Sequence, residues 1–220
     1  MSKDKKSNAG NTLIKDTVII TVITLVAGLV LGFVYELTKE PIRVQKEQKQ
    51  AAACAEVFKE ADENGELKEV LPLTFEKTDV NEAADEAVYE STDIAAAIDE
   101  VYLAKKNDGS LYGYVISVVT AEGYGGKIRF YMGVTTDGVL KGISILDISE
   151  TPGLGMRASE VLVPQFRNVT GSDFVVTKNG KTKENEIDAI TSATITSKAV
   201  TRGVNFGMKY FEEITKGGQE

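Results

Sequence analysis

Residues 17–35 (TVIITVITLVAGLVLGFVY) run without a single charge between polar flanks. Read as a helix, the run spans about 28 Å, close to the hydrocarbon thickness of a bilayer. The pattern predicts an uncleaved membrane anchor. A cleaved signal peptide is the alternative, but its apolar stretch is normally about 7–15 residues long and is followed by small residues. Glu36-Leu37-Thr38-Lys39 supplies no such site. Residues 1–16, with Lys3, Lys5, Lys6 and Lys15, read as a polar, disordered tail. Gly28 and Gly32 have the spacing that lets a second helix approach closely. Glycine is also simply frequent in membrane helices, and the spacing does not choose between the two readings.

Beyond the anchor, residues 36–64 read as a juxtamembrane helix or linker. Pro41 is placed at the first turn of a new helix over 42–61, where its missing N–H costs nothing, and Asn64-Gly65 ends it. Residues 67–98 are rich in Ala, Asp and Glu and only weakly periodic, so they receive no assignment. From residue 101 the texture changes to short β-branched and aromatic runs: 101–105, 111–120, 128–134, 140–148 and 174–177. Asn107-Asp108-Gly109, Asp137-Gly138 and Asn179-Gly180 punctuate them as hairpin turns. Residues 156–169 suit a short helix interrupted near Pro164. Over 198–214, Val200, Val204, Met208 and Phe211 form a helical stripe facing the sheet. The expected fold is α+β: one N-terminal transmembrane helix, then an antiparallel-sheet domain over 65–216 with flanking helices and its core at 100–215.

Composition then removes whole classes of chemistry. The 220 residues carry 33 Asp+Glu against 25 Lys+Arg, for a net charge of -8. That balance argues against a nucleic-acid partner, whose phosphates demand clustered positive charge. There is no histidine and one cysteine. Zinc, haem and iron–sulfur sites rely on those ligands, and Ser–His–Asp or Cys–His pairs need an imidazole. No metal site is expected, and redox chemistry would have to come from an organic cofactor. Cys54 follows three alanines, as in a lipoprotein processing site, but the charged stretch 36–50 separates it from the apolar run. A small buried residue on a helix is the better reading. Lys39, Arg43, Lys46 and Lys49 after the anchor balance the four lysines before it, so the positive-inside rule does not orient the chain.

Three glycine- or hydroxyl-rich segments interrupt the framework. Asp188-Ala189-Ile190-Thr191-Ser192-Ala193-Thr194-Ile195-Thr196-Ser197 leads into the last helix. A helix N-terminus has unpaired N–H groups and a positive dipole end, which suit a phosphate. On spacing alone a Ser/Thr-rich N-cap, which such helices favour, is the better reading. Glu150-Thr151-Pro152-Gly153-Leu154-Gly155 follows a strand, and Pro152-Gly153 fits the central pair of a type II turn, whose exposed backbone could face a planar ring; on spacing alone an ordinary strand-to-helix connection is the better reading. Gly123-Tyr124-Gly125-Gly126, between two strands, suits a tight turn or close approach of a ligand.

Together these segments resemble a known family. Asp188-x-x-Thr191-Ser192-Ala193-Thr194 is similar to the Asp-x-x-Ser/Thr-Gly-Ala-Thr signature of FMN-binding domains modified by an ApbE-type flavin transferase. Glu150-Thr151-Pro152-Gly153-Leu154-Gly155 resembles their second hallmark, in the expected order. One anchor followed by a single such domain is the layout of the G subunit of the Rnf ion-translocating electron-transport complex. The C subunit of the sodium-translocating NADH:quinone oxidoreductase is similar but usually longer, and that subunit, or a stand-alone flavin carrier for extracellular electron transfer, is the alternative within the same chemistry. The resemblance implies FMN held by a phosphoester to Thr194, with the FMN supplied from FAD by the transferase. It implies that Asp188, Thr191, Ser192 and Ala193 belong to the recognition motif, and that Glu150, Thr151, Gly153, Leu154 and Gly155 lie beside the isoalloxazine. It also implies an electron carrier working among other membrane subunits, anchored in lipid, with its flavin domain on the extracytoplasmic side. Ser192 departs from the usual glycine. No G-x-G-x-x-G fingerprint follows a strand, so NAD+ and ferredoxin are expected to bind elsewhere in such a complex. Without the resemblance, a non-redox binding ectodomain fits the same residues.

Overall fold

The computed structural model describes residues 4–62, 66–69 and 71–216. Contacts divide the chain into one unit up to Gln48 and a second from Lys49 onwards. The first helix, α1 (Asp4–Glu56), runs for 53 residues with Pro41 inside it. Where the sequence predicts a tail, an anchor and a new helix opening at Pro41, one helix carries through all three. Arg43 pairs across the proline with Glu40 and, one turn on, with Glu47, at 3.0 Å each. One proline removes a single backbone hydrogen bond, about 3 kcal/mol, which so long a helix absorbs. The helix stops at Glu56, and Asn64-Gly65 lies outside the described residues.

The apolar run is bare. Leu29, Leu31 and Phe33 are 67%, 69% and 67% exposed, an arrangement water does not favour and lipid does. Among the described residues, this is the one helix long and apolar enough to cross a membrane. Two threonines within it are satisfied internally: the hydroxyls of Thr21 and Thr24 donate to the carbonyls of Thr17 and Ile20, at 2.8 and 3.0 Å. That is what a helix in hydrocarbon requires.

In the second unit, β1 (Glu60–Ala61) and β2 (Leu67–Lys68) make a small antiparallel pair. β3 (Leu73–Thr78), β4 (Ala96–Lys106), β5 (Leu111–Thr120), β6 (Ile128–Thr135) and β7 (Leu140–Asp147) form one five-stranded antiparallel sheet in chain order. Two of the predicted hairpins close as expected. Gly109 (φ +82°) and Gly138 (φ +84°) take the left-handed position of their turns, donating to Lys106 and Thr135, each at 2.9 Å. The stretch left unassigned contains β3 and α2 (Glu82–Ser91), which opens on an Asn81 side-chain cap.

The third hairpin does not exist. β8 (Val175–Thr177) pairs with β9 (Glu186–Asp188) in parallel, so Asn179-Gly180 begins a return path rather than a tight turn. Side-chain amides stand in for neighbouring strands there. Asn205 exchanges two 2.9 Å bonds with the backbone of Phe174, and Gln165 brackets Asp188 at 2.7 and 3.1 Å. The 156–169 helix is α3 (Ala158–Val161), flanked by two single 3-10 turns, the second with Pro164 at its start. α4 (Thr194–Lys216) closes the chain and buries Val200, Val204, Met208 and Phe211, the stripe that the periodicity predicts.

Both faces of the sheet are covered, which explains the apolar run Val115–Val119 in β5, interrupted only by the buried Ser117. Ile116, Val118, Phe130 and Met132 face α4 in the main core. Val115, Ala104 and Tyr131 face the other way, onto Ala53, Cys54, Val57 and Phe58 at and just beyond the last turns of α1. Burial there pushes the Cys54 thiol up to about 12, so it is an inert core residue.

A polar network sits on this second face. The Glu100 carboxylate accepts from Lys77 (2.7 Å), the Tyr131 hydroxyl (2.7 Å), the Gln50 amide (3.0 Å) and the Tyr102 hydroxyl (3.1 Å). Burial pushes its pKa up, but the donors Lys77, Tyr131 and Tyr102 outweigh that and hold it below the usual carboxylate range. A carboxyl whose folded pKa is depressed contributes stability above its unfolded pKa of about 4.3, and that contribution is lost as pH falls through the folded value. Glu100→Gln is therefore expected to cost about 1–2 kcal/mol near neutral pH, with the difference from wild type shrinking in strong acid as the folded carboxyl is protonated. Urea unfolding at neutral and at strongly acid pH checks it; an equal deficit at both would show that the charge is not what matters.

Candidate functional site

The turn after β7 forms as the sequence predicts. Leu154 N–H donates to the Thr151 carbonyl at 3.1 Å, with Pro152 and Gly153 between them and Gly153 at φ +75°. This satisfies the positive φ that a type II turn demands of its third residue. A second turn of the same kind precedes α4: Ala193 N–H donates to the Ile190 carbonyl at 3.0 Å, and Ser192 sits at φ +63°.

That angle explains the departure at Ser192. The position calls for glycine because of backbone conformation, and serine occupies it under strain. Ser192→Gly is expected to raise stability by about 0.5–1 kcal/mol, or roughly 1–4 °C in the melting temperature. A thermal melt of the globular unit's transition checks it; a lower midpoint would mean that the serine side chain has a compensating contact.

The two turns face each other across a cleft of about 550 Å³, within the usual range for a small-molecule site. Glu150, Thr151, Leu154 and Gly155 line one side; Ser192, Ala193, Thr194, Ile195 and Thr196 line the other, with Tyr124 from the β5–β6 loop. A more open depression of about 830 Å³ lies between residues 168–170 and 181–185. It is walled by polar loop residues and contains none of the predicted ones.

Glu150 holds the cleft together from beneath. It is 7% exposed. One carboxylate oxygen accepts the Gly125 N–H at 3.2 Å, and the other accepts the Thr196 hydroxyl at 3.0 Å. One side chain thus ties the glycine loop, the type II turn and the start of α4. Gly123 and Gly125 serve a close approach, and it is to protein: a Cβ on Gly125 would lie 1.9 Å from the Ser149 carbonyl oxygen.

The N-terminus of α4 has no side-chain cap. Ala193 takes that position, its carbonyl accepting the Ser197 N–H at 3.0 Å and the Ser197 hydroxyl at 2.9 Å. The Ser/Thr-rich capping that the sequence allows is therefore not what these hydroxyls do. Ser197, buried, turns backwards and accepts the Ile190 N–H at 2.9 Å, locking the loop to the helix. The N–H groups of Thr194, Ile195 and Thr196 find no backbone partner among the described residues. They open onto the cleft at the positive end of a 23-residue helix.

Three threonines near this terminus have different surroundings. Thr196 is buried and its hydroxyl is committed to Glu150. Thr191 is exposed and does not line the cleft. Thr194 is half-buried, lines the cleft, and its hydroxyl takes part in no hydrogen bond among the described residues.

Of the other residues singled out in the sequence, Gly153 shapes the turn without lining the cleft. Asp188 belongs to β9, away from the cleft, with its backbone held by Gln165. Tyr124, Ile195, Thr196 and Ser197 lie in the glycine- and hydroxyl-rich segments but have no individual role in the sequence reading, and Gln165 lies outside those segments. Thr196 and Gln165 act through partners distant in the chain, Tyr124 and Ile195 through their place on the cleft wall, and Ser197 through Ile190 and Ala193 close by.

An FMN-binding domain model matches residues 123–209, which contain the whole cleft, and a model of the N-terminal region of RnfG matches residues 1–57. The chain is 35% identical to the G subunit of the Na(+)-translocating ferredoxin:NAD(+) oxidoreductase complex of Acetobacterium woodii, covering 98% of this chain and 99% of that one. It is 31% identical to the G subunit of the proton-translocating ferredoxin:NAD(+) oxidoreductase complex of Clostridium ljungdahlii, covering 99% and 100%. The crystal structure of Shewanella oneidensis NqrC aligns with a TM-score of 0.45 and 21% identity, over 54% of this chain and 61% of that one.

Proposed function

The chain belongs to the RnfG family and carries an FMN-binding domain, and from that premise we propose that it is the single-pass, FMN-carrying electron-transfer subunit of an ion-translocating ferredoxin:NAD+ oxidoreductase complex, with FMN esterified to Thr194. The observation that carries the attachment site is the Thr194 hydroxyl, free of any hydrogen bond to the described residues at the open end of α4. In the proposed maturation, a flavin transferase forms the bond between Thr194 Oγ1 and the FMN phosphorus of FAD. The pyrophosphate bond breaks, AMP leaves and the hydroxyl proton is lost. The N–H groups of Thr194, Ile195 and Thr196 then meet the phosphate charge, since no lysine or arginine lines the cleft.

When bound, FMN supplies one- or two-electron transfer through its own ring, which suits a chain without histidine. Leu154, Ile195 and Tyr124 offer apolar and aromatic wall to a planar ring. Asp188 and Thr191, off the cleft, are assigned to recognition by the transferase rather than to contact with the flavin. The flavin domain is assigned to the extracytoplasmic side, where a covalent bond keeps a cofactor that no cytoplasmic pool can replace. The other subunits of the complex supply the sites for ferredoxin and NAD+.

Intact-mass measurement and peptide mapping, on full-length chain coexpressed with a flavin transferase, test the attachment. One FMN on the peptide containing Thr194 is expected, and an unmodified peptide sinks the redox assignment. Co-purification from native membranes with several multi-span subunits tests the assembly; recovery only as a free monomer counts against it.

A further inference from the structure

Glu150 is the one acidic side chain lining the flavin cleft, and its surroundings are unusual for a buried carboxylate. It is 7% exposed, yet none of the ion pairs among the described residues includes it. Both of its hydrogen-bond donors, the Gly125 N–H and the Thr196 hydroxyl, are neutral. The carboxylate is also crowded on two sides. A Cβ on Gly123 would lie 2.8 Å from one of its oxygens, and a Cβ on Gly155 2.8 Å from the other. Backbone crowds it on those two sides, and the cleft lies along another.

A buried charge without a cation costs stability, and the three segments it joins could be joined by a neutral amide. The charge itself therefore calls for a role outside the fold, and a ring seated in the cleft, with the water displaced, would feel its field with little screening. Resting on the flavin reading above, we infer that Glu150 sets the reduction potential of the bound flavin, holding it down through its negative charge while positioning the walls of the cleft. Uptake of two electrons and one proton leaves the isoalloxazine with one added negative charge, and a carboxylate beside it opposes that change. In the working complex the electrons come from its own donor; in the test they come from dithionite, with the proton from solvent.

Glu150→Gln separates charge from geometry. The amide oxygen accepts from Gly125 N–H, and the amide NH2 donates to Thr196 once that hydroxyl rotates to accept. Full-length wild type, E150Q and E150D are coexpressed with a flavin transferase, checked by intact mass, and titrated with dithionite against reference dyes. E150Q is expected to load fully and to shift the reduction equilibrium at least tenfold towards reduced flavin, about 30 mV for a two-electron couple. E150D keeps the charge but is too short to reach both donors. It is expected to melt lower than wild type while its reduction equilibrium stays within about threefold of wild type.

A loaded E150Q with an unchanged potential overturns the inference, leaving the flavin reading intact. So does an E150D whose potential rises as far as that of E150Q, since packing would then be the cause. An E150Q that fails to fold or to load overturns it as well, because the neutral isostere is required to support the cleft. Wild type without FMN at Thr194 would remove the flavin reading and this inference together.

Discussion

Thr194→Ala is expected to give a folded, colourless protein. The Thr194 hydroxyl holds nothing together in the unmodified chain, so its removal should change stability by no more than about 0.5 kcal/mol. The neighbouring threonines make the comparison sharp. Thr196→Ala strips a buried hydroxyl from Glu150, an interaction worth about 1–3 kcal/mol, yet leaves the proposed acceptor oxygen in place. Thr191→Ala touches neither the tie nor the cleft. In-gel flavin fluorescence after denaturation, read beside melting temperatures, should therefore separate the three. T194A is dark and stable, T196A fluorescent and destabilised, T191A stable with its labelling governed by the transferase alone. Fluorescence that persists in T194A moves the attachment elsewhere, and a T194A that cannot fold removes the argument that its hydroxyl is free.

The largest structural effect is expected from Gly125→Ala. The added methyl would lie 1.9 Å from the Ser149 carbonyl oxygen and 3.3 Å from Glu150 Cα. These are backbone atoms, which cannot swing aside as a side chain end can. The loop has to lift, and the 3.2 Å bond from Gly125 N–H to Glu150 goes with it. Overpacking of this kind, with one donor to a buried charge lost, should cost about 3 kcal/mol and lower the melting temperature by roughly 6–12 °C. FMN loading should fall with it, since the cleft loses one of its three walls. Gly153→Ala is the matched contrast: open space surrounds it, and only its φ of +75° resists a side chain, so about 1 kcal/mol is expected. Thermal melts of both variants with mass measurement of flavin content check this. Equal effects in the two would show that conformation, not contact, governs the glycine loop.

Much of this was legible in the sequence, for reasons that are local. A run of nineteen or so uncharged residues needs no tertiary context to be recognised as membrane-compatible. The turns at Gly109, Gly138 and Gly153 follow from a backbone angle that glycine alone takes without strain. The stripe on α4 follows from its period. Elements went unread or misread where the partner is remote. β3 carries polar residues on a weak alternation and becomes a strand only by pairing with β4, from Leu73↔Lys106 to Thr78↔Val101. Asn179-Gly180 looks like a hairpin turn, but the amides of Gln165 and Asn205 receive the chain first. Pro41 reads as a helix start, yet good helix formers on both sides carry the helix through it.

The sequence by itself determined the anchor, the meander of strands, the last helix, and the two motifs whose residues lie next to one another in the chain. These depend on sterics and on hydrophobic periodicity over a few residues, which the chain carries wherever it is placed. Only the tertiary structure decided that Ala193 and not a hydroxyl caps α4. It also decided that Thr196 is taken by a carboxylate 46 positions away while Thr194 is left free, and that Glu150 is buried with no cation to meet it. Whether a polar group is spent or available depends on what else arrives within about 3 Å of it, and that is settled by non-local packing.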